Sequence, residues 1–288
     1  MKAVFRHETG MYFTGLSGYV FGAFMLLFTG IYMMVYNLKG GYTNFEYVPA
    51  GMSFIFLIIV PILSMRVLAE ERKQKTDQLL YSLPLSMTQV VLGKYAAMLV
   101  VMLIPTAIMC LYPLILRAYG SVYLPAAYGT VLAFYLLGAA LLSIGMFISS
   151  LTESQPVAAG ICFVVMLLNY YLNSLAGYVS STAFASLAAF SVAALLLAII
   201  VRLMTKHSLA AVLTFLIPEI VLVILYAVNS SMFEGAFPDL MQKLSLFERF
   251  YTFVYGVFDI TGIVYFCSVI AVFLFLSVQS MEKRRWSE

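Results

Sequence analysis

Long apolar stretches alternate with short polar ones along nearly the whole chain. The apolar stretches run at about residues 17–36, 49–67, 89–116, 127–150, 157–175, 182–204, 208–229 and 260–281. A helix needs about 20 apolar residues to cross a ~30 Å hydrocarbon layer. The pattern therefore predicts an all-α polytopic membrane protein with about eight transmembrane helices; a six-helix core plus two extra helices also fits. Two other stretches are amphipathic. Residues 1–14 combine Val4, Phe5, Tyr12 and Phe13 with Lys2, Arg6 and His7, which suits a helix in the inner interface. Across 244–258, Leu246, Phe247, Phe250, Phe253, Val254, Val257 and Phe258 fall at helical spacing, with Ser245, Glu248, Arg249 and Thr252 on the other side. That spacing predicts an amphipathic helix in the outer interface.

Local signals refine the map. Ser86 and Gln89 match the S-x-x-Q capping box, and Leu85 with Val90 can form a hydrophobic staple at the start of the third span. Pro61 lies inside the second span, where it can kink the helix, and Pro105 and Pro113 interrupt the third. Gly138, Ala139, Ala140, Ser143, Gly145 and Ser149 make the fourth span small-faced, as for a helix packed against protein. Gly18 and Gly22 form a small-xxx-small pair in the first span. Asp259 precedes the last span, where it suits a helix N-cap.

Composition agrees with the pattern. The chain is 63% hydrophobic and 10% charged, whereas soluble domains carry about 25% charged residues. This excludes a soluble domain and leaves the net charge of +3 reporting topology rather than nucleic-acid binding. With both termini inside, twelve basic residues lie on inner segments: Lys2, Arg6, Arg66, Arg72, Lys73, Lys75, Lys94, Arg202, Lys206, Lys283, Arg284 and Arg285. Four lie outside: Lys39, Arg117, Lys243 and Arg249. Positive residues favour the cytoplasmic side, so both termini are expected there. The first apolar run reads as a retained span rather than a cleaved leader. Cys110, Cys162 and Cys267 fall in separate apolar runs and read as small packing residues.

Catalytic patterns are missing. Gly93-Lys94-Tyr95 lacks the upstream glycine and the hydroxyl of a phosphate loop, and His7-Glu8 is followed by Met11 where a zinc protease needs histidine. No metal site is expected, and the chain is not expected to be an enzyme. One residue stands out inside a span. Glu219 follows Pro218 near the middle of 208–229, where a carboxylate costs about 3 kcal/mol and should face protein or water. It reads either as a substrate, ion or proton site or as a hydrogen-bonded tie between helices.

The stretch from Arg66 to Gln89 organises the rest. Arg66, Arg72, Lys73 and Lys75 alternate with Glu70, Glu71 and Asp77. Leu79, Leu80, Leu83 and Met87 then recur at helical spacing, broken by Pro84. A helix polar at one end and apolar at the other fits a docking element for a soluble partner; a solvated, topology-setting loop is the simpler alternative.

Arg66, Ala69, Glu70, Glu71, Arg72, Thr76, Asp77, Gln78, Leu79, Leu80, Ser82 and Pro84, followed by Gln89 to Tyr95, resemble the first cytoplasmic loop of ABC-2-type transporter permeases. Where that family often has Gly-Thr-x-Glu, this chain has Lys75-Thr76-Asp77-Gln78. The end of the chain, with Phe247, Phe250, Gly256, Asp259, Tyr265, Phe273, Leu274, Leu276, Arg284, Arg285 and Trp286, is similar to permeases of the gliding-motility branch. The resemblance spans nearly the whole chain and implies one permease domain over 1–288 with a coupling region at 68–88. It implies docking of a separate ABC ATPase on Glu70, Glu71, Arg72, Thr76, Asp77, Gln78, Leu79, Leu80, Leu83 and Pro84. ATP and Mg would be bound by that ATPase and no cofactor by this chain. A second permease, identical or paralogous, is implied, with an extracellular accessory protein as a further partner and the bacterial inner membrane as the location. The expected function is ATP-driven translocation, most simply export. Two alternatives stay open: an ion-coupled transporter using Glu219, and an ATPase-driven motor component that moves no solute. A lipid-modifying membrane enzyme would need more polar residues at the interface than the chain has.

Overall fold

The computed structural model describes residues 1–74, 86–205 and 208–285. Helix is the only regular secondary structure among them. Helix α1 is Lys2–Thr14, α2 Ser17–Met33, α3 Tyr47–Met52, α4 Phe56–Lys73 and α5 Met87–Met109. Helix α6 is Tyr112–Tyr119, α7 Leu124–Leu151, α8 Gln155–Ala176, α9 Ala183–Thr205 and α10 Ser208–Val228. Helix α11 is Ala236–Leu244, α12 Leu246–Val254 and α13 Ile260–Arg285. Among the described residues seven helical stretches are long and apolar enough to cross a membrane: Ser17–Lys39, Tyr47–Lys73, Met87–Tyr119, Leu124–Leu151, Gln155–Ala176, Ala211–Val228 and Ile260–Lys283. The expected span at 182–204 forms α9, whose described apolar stretch, Ala183–Ile199, is shorter. The protein is an all-α polytopic membrane protein.

Several expectations meet the structure in detail. Ser86 is the N-cap of α5, its hydroxyl accepting from the Gln89 N–H at 3.3 Å; Leu85 of the expected staple lies outside the described residues. The third span is broken in two between Met109 and Tyr112. Pro113, with no N–H to return to the Met109 carbonyl, starts the second piece, whereas Pro105, also expected to interrupt, is carried inside α5, as Pro61 is inside α4. The first span extends to Lys39 through a π-helical turn over Met34–Lys39. Within this chain Gly18 and Gly22 do not pack together against another helix. A side chain at Gly18 would meet the Tyr12 carbonyl oxygen at 2.7 Å, so this glycine permits the tight passage from α1 to α2, while nothing lies within 4 Å of a side chain built at Gly22.

The segment 244–258 departs most from its periodicity. It holds one helix, α12, ending before Gly256 at φ +81°. Ser245, expected on the polar face, is buried and accepts from the Glu248 N–H at 3.2 Å, starting the helix. Leu246, Phe247, Phe250, Phe253 and Val254 are buried in protein, while Val257 and Phe258 lie beyond the helix and are exposed.

The chain divides into two compact units, 1–168 with 249–288, and 169–248. The first is built around α7, against which α4, α5 and α13 pack. Its small face lets them approach. A side chain at Gly138 would lie 2.9 Å from the Phe56 ring, and one at Gly145 would lie 2.7 Å from Ser64 Cβ and 3.2 Å from Cys162 Sγ. Phe134 of α7 stacks on Phe56 of α4 at 4.4 Å between ring centres and meets Phe250 at 6.1 Å. The Tyr95 hydroxyl of α5 donates to the Ala139 carbonyl at 3.0 Å. In the second unit α9 and α10 pair as a hairpin, closed at one end by Phe190, Tyr226, Phe233 and Phe237 in edge-to-face contacts.

Asp259 caps α13 as its position suggests, accepting from the N–H groups of Thr261 at 2.9 Å and Gly262 at 3.1 Å. Hydrogen bonding from Thr261 leads the causes that hold its carboxyl below the ordinary carboxylate value. A lowered folded-state value stabilises the fold above the unfolded value of about 3.9, and that stabilisation is lost on acidification through the folded value. Asp259→Ala should therefore cost about 1 kcal/mol at neutral pH, and the difference from wild type should shrink as pH falls, read by thermal unfolding in detergent across pH. Gly145→Val should cost about 1–3 kcal/mol by overpacking the α4–α7 contact. Gly160→Ala, on α8 with nothing within 4 Å, should leave the melting temperature unchanged or raise it.

Candidate functional site

Helix α4 runs out of the apolar core at Arg66 and carries the first part of the Arg66–Gln89 stretch. Of the residues expected to dock an ATPase, Glu70, Glu71 and Arg72 are described; Thr76, Asp77, Gln78, Leu79, Leu80, Leu83 and Pro84 lie outside the described residues. Helical geometry separates the three. Glu70 lies one turn beyond Arg66 and pairs with it in two contacts, Nε to Oε2 at 2.9 Å and an Nη to Oε1 at 3.3 Å. These side chains are 50% and 30% exposed, so the pair is a surface contact of small energetic weight. Gln74 Nε2 adds a contact to Glu70 at 3.4 Å.

Glu71, one residue on, turns about 100° around the helix and faces protein. Its Oε1 lies 2.7 Å from Lys94 Nζ of α5. The same ammonium donates to Glu8 Oε1 of α1. Lys94 is 2% exposed and Glu8 6%, and Arg72 on the adjoining position is buried as well. One buried ammonium thus holds a buried carboxylate, Glu8, and a part-exposed one, Glu71.

Each element is brought there by a local cause. The Ser86 cap starts α5 at Met87, which puts Lys94 about two turns inside on the face of Val90, Val91, Ala97, Met98 and Val101, all buried. Gly93 lets α1 lie close on α5: a side chain there would stand 3.1 Å from Val4 Cβ. Tyr12, one turn beyond Glu8, is buried, and this burial, reinforced by Glu8, raises its phenol above the ordinary value, with Arg66 and Glu70 also close enough to act on it.

Ser149, fully buried at the end of α7, ties α4 from the other side. Its hydroxyl oxygen accepts from the N–H groups of Leu68 at 3.2 Å and Ala69 at 3.1 Å and donates to the Met65 carbonyl at 3.1 Å. The next residue's carbonyl, Ser150, accepts from Ser280 of α13 at 3.2 Å. A side chain bonded into a helix's own ladder is a recognised cause of local bending, and here it falls one residue before Glu70.

The other singled-out residue lies in the second unit. Glu219 Oε1 accepts from Ser191 Oγ across the α9–α10 hairpin at 2.9 Å. Its Oε2 is buried with no hydrogen-bond partner among the described residues. Pro218 precedes it inside α10.

Glu8 and Lys94 were not distinguished by motif reasoning. Their signal is register: Lys94 occupies a core position in an otherwise apolar period, and Glu8 is the one acidic residue of the first helix. Removing one partner from a buried charge pair costs about 3–5 kcal/mol because the other is left uncompensated. Lys94→Met should therefore destabilise the purified chain by about that much, whereas Lys94→Met combined with Glu8→Gln and Glu71→Gln should recover most of the loss, both read by thermal unfolding in detergent.

No curated protein matches the chain. A family model described as ABC-2 family transporter protein matches residues 21–286. That match takes in the small-faced α7, the α4 end with Glu70 and Glu71, and the capped last span together. With an all-α, multi-span fold beneath it, the chain belongs to the ABC-2 transporter family and is a membrane-embedded permease component.

Proposed function

We propose that this chain is the permease subunit of an ABC exporter, driven by a separate ATPase that docks on Glu70 to Pro84. ATP and Mg are bound by that ATPase, and a second permease, identical or paralogous, completes the pathway. The similarity of residues 244–286 to the gliding-motility branch supports that placement within the family. The balance of twelve basic residues against four supports a bacterial inner-membrane location with both termini cytoplasmic.

One observation carries the reading. The stem of the docking stretch is anchored, not loose: Glu71 is bonded to buried Lys94, and the backbone just before it is bonded to Ser149. A loop that only fixes topology needs positive charge near the membrane and no such anchoring. A segment that must take up force from a partner needs a stem whose displacement reaches the bundle. Glu219 favours a second reading, ion-coupled transport, because one of its oxygens is buried without a partner among the described residues.

Co-expression with its ABC ATPase and purification in detergent separates the two. A stable complex that hydrolyses ATP is expected from wild type. Leu80→Asp should abolish the complex while the chain stays folded, and Glu219→Gln should leave it intact. A chain that binds no ATPase, yet moves a solute down an imposed proton or sodium gradient until Glu219→Gln stops it, would replace the ATP-driven reading with the ion-coupled one.

A further inference from the structure

Lys94 does something that docking and topology do not require. A lysine needed for topology alone can reach its ammonium to water along its flexible stem. This one is drawn inward, and its ammonium bridges two helices besides its own, through Glu8 of α1 and Glu71 of α4. The bridge is expensive to break. If Glu71 moved away from α5 while Lys94 stayed, a charge-assisted bond to an ammonium only 2% exposed would be lost, and Lys94 would keep Glu8 alone. Displacing Glu71 is therefore cheapest when Lys94 and Glu8 travel with it.

The surrounding contacts define which parts travel. Ser149 holds the α4 backbone at Met65, Leu68 and Ala69, and the turn that begins at Glu70 lies just beyond that hold. On the far side, α1 lies against α5 at Val4 and Gly93. We propose that Lys94 is a positioning residue that carries displacement of the docking stem to the N-terminal helix α1 and to the start of α5. The proposal rests on the reading that an ATPase docks on residues 70–84. It adds α1, a helix outside the docking stretch, as a second moving part.

Hydrogen exchange on the full chain in complex with its ATPase tests this, comparing the nucleotide-free complex with one trapped by ATP and vanadate. In wild type, exchange in 66–74 and in 2–14 should change together, each by several-fold. In Lys94→Met the response of 66–74 should persist and that of 2–14 should vanish. Glu8→Gln, which keeps the side-chain volume and cuts only the charge on the α1 side, should give the same split if the methionine variant does not fold. A wild-type complex in which 66–74 responds and 2–14 does not would overturn the proposal. So would an α1 response that survives in the variants that fold. If no complex forms, or neither segment responds to nucleotide, the ATPase reading itself fails and this proposal fails with it.

Discussion

A charged ammonium in an apolar interior has to be neutralised, and the way this chain neutralises Lys94 arranges everything at that end of the bundle. The lysine needs carboxylates within hydrogen-bond reach, because burying an uncompensated charge costs more than the rest of a helix contact returns. Glu8 can supply one only if α1 lies down on α5, which Gly93 permits by presenting no side chain to Val4. Glu71 can supply the other only if α4 runs on past the core and turns that face inward. Ser149 then fixes α4 against α7 one turn earlier. One nitrogen atom thus joins three helices, α1, α4 and α5.

The same contacts sort the docking stretch into two kinds of residue. Glu70 is part-exposed and bonded to Arg66 and Gln74 on its own helix, so it can meet a partner without breaking anything inside. Glu71 is committed inward. Adjacent acidic residues that look equivalent as a motif thus have different surroundings: one is bonded within its own helix, and the other joins α4 to Lys94 of α5. The family match shows a permease component, and the anchoring gives a physical reason why force applied at the stem would reach the membrane-embedded helices.

Much of this was legible in the sequence. Apolar run lengths report helices because an unpaired backbone cannot exist in hydrocarbon, so the spans followed directly. Ser86 and Asp259 were readable as caps because capping depends on one side chain and the next few N–H groups. The small face of α7 was readable because close approach leaves no room for anything larger. Other features were not legible, and for one reason: they depend on partners distant in sequence. Lys94 reads as one more inner-side cation until Glu8, 86 positions away, is seen beside it. The segment 244–258 has a continuous apolar period, yet Ser245 and Gly256 cut it to nine helical residues, and its apolar face is covered by protein, not left for the interface. Gly18 and Gly22 show the converse, a spacing that suits helix packing but that the fold uses for a turn at one position and leaves open at the other.

The central claim is that an ATPase bears on the 70–84 stretch while Lys94 holds its stem. The most direct measurement is an electron cryomicroscopy structure of the chain with its ATPase at side-chain resolution. ATPase density is expected seated on Leu79, Leu80 and Leu83, with Glu70 facing the ATPase and the Lys94 ammonium still between Glu8 and Glu71. An ATPase bound elsewhere on the chain, or a Lys94 side chain extended to water with both carboxylates turned away from it, would contradict it.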